Sequence, residues 1–200
     1  MLRQAAWQSR LWQRRGEARP PLQVSLNVSP RQLNQADFTQ TARQAIQDSG
    51  ARPTNLCMEI TEGALLRDPS AAWASLRQLK ALGVSLALDD FGTGFSSLSY
   101  IRRFDLDVLK IDRSFVTEVH QSTEDRAIVE HVIGLAHALG MSAVAEGIEE
   151  PAQAEVLRTL GCDAVQGYLY ARPVPVEAID EMLDSGRVWT TGLVTSAVPF

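Results

Sequence analysis

The sequence predicts an α/β fold in which parallel strands alternate with helices, and it favours a (β/α) barrel. Six short runs rich in apolar and β-branched residues are typical of strands, and longer segments with helical apolar spacing separate them. This alternation requires crossover connections, which join parallel strands. A repeated helix–strand junction favours the barrel over an open sheet, which stays an alternative because one sequence does not show the order of the strands.

The predicted elements follow one another along the chain in this alternating order. The strands are Leu22–Val28, Leu56–Thr61, Val84–Asp89, Val108–Ile111, Ser142–Ala145 and Asp163–Val165. The helices are Leu2–Arg15, Phe38–Asp48, Ala71–Leu82, Glu124–Leu139, Ala152–Leu160 and Val176–Leu183.

The junction recurs three times, as LKALGVSLALDD, AHALGMSAVAEG and LRTLGCDAVQG. In each copy Leu-Gly ends a helix, a short apolar strand follows, and a polar residue closes the strand. Gly83, Gly140 and Gly161 therefore fit the left-handed position after a helix, where a Cβ atom would clash.

Length and charge limit the classes of function. Two hundred residues fit one domain, and 45% apolar and 22% charged residues are ordinary for a globular protein. The formal net charge of -5 argues against a partner that is a nucleic acid polymer or an anionic membrane surface. If such an acidic chain acts on a phosphate ester, it needs a metal or local cations to offset the repulsion.

The two cysteines and the hydropathy indicate the compartment. Cys57 and Cys162 stand in or beside apolar runs without ligand spacing, which favours buried, reduced thiols. No stretch approaches the roughly 18 apolar residues of a membrane span, and the basic start lacks the apolar core of a secretory signal. We therefore expect a cytoplasmic chain without a membrane span in this sequence.

Polar residues with metal-binding or acid–base chemistry stand at or near the carboxyl end of every predicted strand. In an α/β barrel those ends form one rim, which holds the active site. The residues are Asn27, Glu59, Glu62, Asp89, Asp90, Lys110, Asp112, Glu146, Glu149 and Gln166.

A rim of several carboxylates makes chemical sense when hard cations lie between them. Oxygen ligands without His or Cys indicate Mg²⁺, Mn²⁺ or Ca²⁺ rather than zinc. The adjacent Asp89 and Asp90 could each serve a different metal ion, and two ions suit in-line attack on a phosphodiester. A rim lysine, Lys110, could orient the water or neutralise the developing charge.

Each of these residues also has a plainer interpretation. A single carboxylate after a strand is usually a helix cap or a solvated turn residue, but six coincidences at similar positions favour function. The segment Asp89–Gly94 could be a simple glycine-rich turn, and it is not a dinucleotide fingerprint because GxGxxG is absent. The histidines fall on or beside helices, and we assign them no role.

Five segments together resemble the successive motifs of the EAL domain family. They are NVSPRQL, MEITE, LALDDFGTGFSSLSYIRRFDLDVLKIDRSFV, AVAEGIEE and GCDAVQGYLYARPV. The match runs from about Leu2 to Leu183, and the ordered pair DDFGTGFSSL and KIDRSF is the most specific part. The resemblance implies a TIM-like barrel that hydrolyses cyclic di-GMP to linear pGpG with two Mg²⁺ or Mn²⁺ ions.

The resemblance also implies roles for single residues. Asn27, Glu59 and Asp89 are similar to the ligands of one metal, and Asp89 and Asp90 to those of the second, with water-mediated help from Glu146. Lys110 resembles the residue that positions the attacking water. The substrate and site residues implied are Asp112, Glu149 and Gln166, and Glu62 resembles the anchor of the loop Phe91–Leu98.

The resemblance further implies an incomplete barrel that lacks about the first two strands. Family members carry an E-A-L-x-R segment before the position of Met1, which supplies a metal-ligating Glu and a phosphate-binding Arg. We expect a partial EAL domain over residues 1–186 and a tail outside it over residues 187–200. The Phe91–Leu98 loop and the open barrel edge are candidate homodimer contacts.

Three other functions fit parts of the sequence. Without the E-A-L segment the chain could be a catalytically inactive receptor that binds cyclic di-GMP, or a protein-interaction module that pairs through its open edge. Lys, Asp and Glu at strand ends also serve Mg²⁺-dependent lyases and isomerases. The DDFGTG and KID segments argue against the last of these.

Overall fold

The computed structural model of the protein describes residues 1–15, 22–92 and 101–185. The chain divides into two compact units, Met1–Leu109 and Lys110–Phe200, which are described in turn. The predicted tail over residues 187–200 and most of the Phe91–Leu98 loop lie outside the described residues.

The first unit contains most of the predicted amino-terminal elements in the expected order. They are α1 (Leu2–Arg15), β1 (Val24–Val28), α2 (Pro30–Leu33), α3 (Phe38–Ser49), a 3₁₀ turn (Pro53–Asn55), β2 (Leu56–Thr61), α4 (Glu62–Arg67), α5 (Pro69–Ala81) and β3 (Ser85–Phe91). Strand β4 (Val108–Ile111) begins at the end of this unit.

The second unit continues the alternation of helices and strands. Its described elements are α6 (Arg113–Val116), α7 (Thr123–Ala138), β5 (Ser142–Ala145), α8 (Pro151–Thr159), β6 (Ala164–Val165) and α9 (Val176–Asp184).

The strands form a six-stranded sheet in the order β1-β2-β3-β4-β5-β6. The β1–β2, β2–β3 and β5–β6 pairs are parallel. The sequence prediction of an α/β fold with six strands is therefore confirmed. The four-residue helices α2 and α6 and the six-residue α4 were not predicted, because so few residues show no helical period.

Strands β2 and β3 lie in the core of the first unit. Met58, Ile60, Leu86 and Leu88 are fully buried. Both strands are buried on both faces, which explains why their sequences read as continuous apolar runs rather than as alternating ones.

The glycines of the repeated junction adopt the predicted conformation. Gly83, Gly140 and Gly161 have φ angles of 88°, 77° and 82°. Each of them lies where a helix ends and the chain turns into the next strand. The left-handed conformation at this position is unfavourable for a residue with a Cβ atom.

A second repeat, which we call the aspartate clip, accompanies two of these junctions. In the first unit the Asp107 carboxylate accepts hydrogen bonds from the Leu86 amide at 2.8 Å and from Lys80 Nζ at 2.6 Å. In the second unit Asp163 Oδ2 accepts from the Ala143 amide at 2.7 Å and lies 2.8 Å from His137 Nε2. Each clip joins the end of a helix to the amino ends of two strands.

Both cysteines are free thiols, Cys57 buried and Cys162 half-buried. Burial raises the pKa of the Cys162 thiol to about 11. Among the described residues no helix combines the length and the apolar character that are needed to cross a membrane.

Candidate active site

Three predicted ligand positions of the first unit share one face of neighbouring strands. Asn27 and Glu59 are direct partners in the β1–β2 register, and Asp89 is paired with Thr61 in the β2–β3 register. Glu59 is opposite Ala87, two residues before Asp89. Because side chains two apart along a strand point the same way, Asn27, Glu59 and Asp89 lie on one face of the sheet.

Two of these side chains are carboxylates inside the protein. Glu59 and Asp89 are each 8% exposed, and both lie within the second half of a largely buried strand. Burying a charged carboxylate costs free energy unless hydrogen bonds or a positive charge compensate it. The donor set around them consists of oxygen atoms from Asn, Glu and Asp, which suits a hard divalent cation.

Asp90 holds an unusual backbone conformation beside Asp89. Its φ angle of 55° lies in the left-handed region, and it is the only described residue other than glycine with a positive φ. Carboxylate oxygens of Asp89 and Asp90 lie within 4.8 Å of one another, close enough to share a metal ion. Backbone conformations of this kind cluster at functional sites.

Glu62 lies at the first position of α4 and is 5% exposed. Within the described part of the chain, neither of its carboxylate oxygens has a hydrogen-bond partner. A buried carboxylate without partners is costly, although the amino end of a helix favours negative charge. The sequence prediction gives Glu62 a loop as its partner, and residues 93–98 of that loop lie outside the described residues.

The second unit brings three predicted residues into direct contact. Lys110 Nζ forms an ion pair with Glu146 Oε1. The same oxygen accepts a hydrogen bond from Gln166 Nε2 at 2.6 Å. The Lys110 side chain is only 6% exposed, so this pair lies in a poorly solvated place where charge interactions are strong.

Lys110 is one of only two lysines in the chain, where arginine supplies the other 17 of the 19 basic residues. The other lysine is Lys80 of the aspartate clip. An ammonium group is a compact charge with three donors, whereas a guanidinium is a rigid planar fork. The chain thus holds a small cation at the end of β4.

Asp112 has a local structural role in addition to its predicted one. It is the N-cap of α6, and its Oδ1 accepts from the Ser114 amide at 3.0 Å. The pKa of the Asp112 carboxyl is below its ordinary value: burial acts to raise it, but hydrogen bonds from Ser114 and Arg113 and the Arg113 charge outweigh burial. Its contact with substrate stays a prediction.

Glu149 is exposed, and its backbone amide donates to Gln153 Oε1 at 2.8 Å. Sequence reasoning did not single out Gln153, which is 3% exposed. The signal was present, because Glu150, Pro151 and Gln153 have the spacing of an N-cap, a first-turn proline and a capping glutamine.

Comparison with known proteins gives a consistent result. The family model described as EAL domain matches residues 1–173. The Pseudomonas aeruginosa protein named bifunctional diguanylate cyclase/cyclic di-GMP phosphodiesterase MucR is 40% identical over 179 residues, which cover 90% of this chain and 26% of that protein. Cyclic di-GMP phosphodiesterase NbdA from the same organism is 42% identical over 166 residues, which cover 83% of this chain and 21% of that protein. The chain thus spans about a quarter of the length of these relatives.

Solved structures show the same similarity in three dimensions. The PaMucR phosphodiesterase in complex with c-di-GMP has a TM-score of 0.84 at 40% identity, covering 89% of this chain and 71% of that one. The EAL domain of Mycobacterium smegmatis DcpA has a TM-score of 0.87 at 37% identity, covering 94% and 83%. Klebsiella pneumoniae BlrP1 with manganese and cy-diGMP has a TM-score of 0.75 at 30% identity, covering 86% and 44%.

Proposed function

Because the chain belongs to the EAL domain family, we propose that it hydrolyses cyclic di-GMP to the linear dinucleotide pGpG. The observation that carries the proposal is the buried Lys110 near the end of β4, which pairs with the Glu146 oxygen that also accepts from Gln166. A fixed cation with protons to donate suits a reaction in which a phosphodiester oxygen gains negative charge. The names of MucR and NbdA support the same reaction class.

The oxygen ligands of the first unit suit the metal ions that such a reaction uses. Asn27, Glu59, Asp89 and Asp90 would hold two Mg²⁺ or Mn²⁺ ions, and their all-oxygen donor set is the one these ions prefer. The manganese and cy-diGMP complex of BlrP1 supports this choice. When bound, such ions neutralise phosphate charge and make water more acidic.

The residues of the second unit would act on the water and the substrate. Lys110 Nζ carries three protons and pairs with Glu146, and in the reaction it would donate to the attacking water and to a phosphate oxygen. Water adds across one P–O3′ bond: its oxygen joins the phosphorus, and a proton reaches the leaving 3′ oxygen. Asp112, Glu149 and Gln166 would contact the substrate or orient Glu146.

Glu62 is proposed as the anchor of the loop Phe91–Leu98. Its burial without a hydrogen-bond partner among the described residues supports a partner of this kind. A loop amide or hydroxyl that donates to Glu62 would satisfy the carboxylate.

The test is turnover of cyclic di-GMP by the chain with Mn²⁺ or Mg²⁺, with pGpG separated by chromatography. We expect metal-dependent formation of pGpG that Lys110→Ala slows by about 100- to 1000-fold. Lys80→Ala is the matched control, because it removes the only other lysine, which pairs with the carboxylate of Asp107 as Lys110 pairs with that of Glu146. Binding of cyclic di-GMP without formation of pGpG would favour the inactive receptor instead.

A further inference from the structure

The five residues Glu146–Glu150 form a segment that we call the acidic turn. It carries Glu146 and Glu149, two carboxylates of the proposed site. Main-chain hydrogen bonds fix its first half, because the Glu146 amide donates to the Ile111 carbonyl at 3.1 Å and the Ile148 amide donates to the Gln166 carbonyl at 3.1 Å. The start of the turn is therefore tied to the ends of β4 and β6.

A side chain fixes the second half of the acidic turn. Gln153 Oε1 accepts from the Glu149 amide at 2.8 Å and from the Glu150 amide at 2.9 Å. One carbonyl oxygen thus satisfies two consecutive backbone donors that no strand or helix pairs. Removing it would leave two amide groups to find water or another acceptor.

The other end of the Gln153 amide reaches a third segment. Its Nε2 donates to the Thr117 carbonyl at 2.9 Å, just after α6. Because Gln153 is 3% exposed, water competes little with these three bonds. The side chain thus links α8, the acidic turn and the end of α6 in one place.

Close packing limits the movement of the acidic turn on two other sides. A Cβ atom on Gly147 would lie 2.6 Å from Arg113 Cβ, and one on Gly167 would lie 2.2 Å from the Ile148 amide nitrogen. At Gly147 and Gly167 the backbone is therefore packed closely against Arg113 and Ile148, and these neighbouring atoms cannot easily shift. The Gln153 contact then controls how far the second half of the turn moves.

We propose that Gln153 is a positioning residue, whose side chain sets the place of the Glu146 and Glu149 carboxylates by tying the acidic turn to Thr117. This inference rests on the proposed function, because positioning matters only for a reaction that uses those carboxylates. Displacement of a site group by about 1 Å can cost about 100-fold in rate. Gln153 would influence turnover without touching substrate.

A plain helix cap is the alternative role, and the chain contains one for comparison. Gln32 occupies the same third position of α2, and its Oε1 accepts from the Ser29 amide at 3.0 Å. Among the described residues the hydrogen bonds of the Gln32 side chain are with Ser29 only. The Gln153 side chain makes two hydrogen bonds that a plain cap does not need, one from the Glu149 amide and one to the Thr117 carbonyl.

Gln153→Glu separates the two roles, because it keeps an acceptor for the amides and loses the donor to Thr117. Two oxygens would then face each other, and the turn would lose its tie to α6. Gln153→Met removes acceptor and donor without adding charge. Gln32→Glu is the matched control, because the same substitution is made at a capping glutamine whose side chain contacts only the N-cap residue Ser29.

Two measurements on the full chain test the inference. We expect kcat for cyclic di-GMP to fall about 10- to 100-fold in Gln153→Glu and further in Gln153→Met, with KM changed less than about threefold. By NMR we expect the Gln166 side-chain amide signal, which reports on the bond to Glu146 Oε1, to move in both variants. Gln32→Glu should leave both readouts unchanged.

The outcomes separate this inference from the proposed function. If the Gln166 signal moves in the variants but the chain never forms pGpG, the positioning role of Gln153 stands and the proposed phosphodiesterase activity is wrong. An unmoved Gln166 signal in folded Gln153→Glu and Gln153→Met overturns the positioning role, whatever the turnover is. A fall in kcat no larger than that of Gln32→Glu also overturns it.

Discussion

At the scale of single residues, Lys110 makes the sharpest case for a chemical role. A buried ammonium costs free energy, and the chain uses arginine almost everywhere else. Glu146 offsets that cost, and Gln166 then fixes the oxygen that Glu146 presents. The contacts fix the position of the Lys110 ammonium group, whereas the ammonium group of a solvated surface lysine is not fixed.

We predict that Lys110→Ala lowers turnover of cyclic di-GMP by about 100- to 1000-fold and leaves affinity largely intact. The measurement is formation of pGpG and binding of cyclic di-GMP by the unmutated chain and by Lys110→Ala.

Lys110→Arg should not restore activity, because a planar guanidinium does not fit a place shaped for an ammonium. Formation of pGpG under Mn²⁺ is the measurement. Full activity of Lys110→Ala contradicts the role of Lys110.

Asp89 supports a prediction about metal binding. Asp89→Asn should abolish the weak binding of Mn²⁺ that calorimetry is expected to detect, because an amide oxygen carries no charge. Asp48→Asn, which changes an exposed carboxylate on α3, is the control and should bind as the unmutated chain does. If Asp89→Asn binds Mn²⁺ as tightly as the unmutated chain does, Asp89 is not a metal ligand.

Asp90 should show a conflict between stability and function. Its φ of 55° favours glycine, so Asp90→Gly should stabilise the fold, by up to about 1 kcal/mol, while it weakens binding of Mn²⁺. Thermal unfolding and calorimetry on the same sample measure both effects. A lower midpoint in Asp90→Gly would mean that contacts of the side chain outweigh the backbone strain.

At the scale of elements, an aspartate clip accompanies two of the three copies of the repeated junction. In each clip the carboxylate of an aspartate that precedes one strand accepts a hydrogen bond from the backbone amide of the second residue of another strand. The same carboxylate contacts a basic side chain, Lys80 or His137, in the last turn of a helix. The aspartate lies 20 to 27 residues after its two partners in the sequence, so the junction motif alone did not reveal the clips.

Asp107→Ala should lower the free energy of unfolding by about 1–3 kcal/mol, because it leaves the Leu86 amide and Lys80 without this acceptor. Asp105→Ala is the control: its side chain is 84% exposed and lies 3.9 Å from Lys80, so it should change little. Urea titrations of both variants give the comparison. Equal losses would show that the Asp107 clip contributes no more than a surface ion pair.

The elements also show what the sequence could and could not predict. All six strands were predictable as short runs rich in apolar and β-branched residues, and the runs of β2, β3 and β4 are nearly continuous because these strands are buried along their length. The polar residues that interrupt or follow these runs were visible in the sequence for that reason. The Lys110–Glu146–Gln166 contact and the links of Gln153 depend on side chains up to 56 residues apart. No local pattern encodes such contacts.

At the scale of the whole molecule, apolar surface remains uncovered in the described part of each unit. Trp7 and Leu11 of α1 are 52% and 50% exposed in the first unit. In the second unit Val176 of α9 is 38% exposed, and Ile179, Met182 and Leu183 of the same helix are half-buried. Exposed apolar surface of this kind favours association with other chains.

We therefore predict that the purified chain self-associates, with a mass from light scattering that rises with concentration above 22.0 kDa. Ile179→Glu should reduce the association, because it places a charge on the apolar side of α9, whereas Glu177→Gln on the same helix should not. A constant monomer mass together with a sharp thermal midpoint of about 45–65 °C would contradict this prediction. It would mean that α9 and α1 are stable with their apolar sides in water.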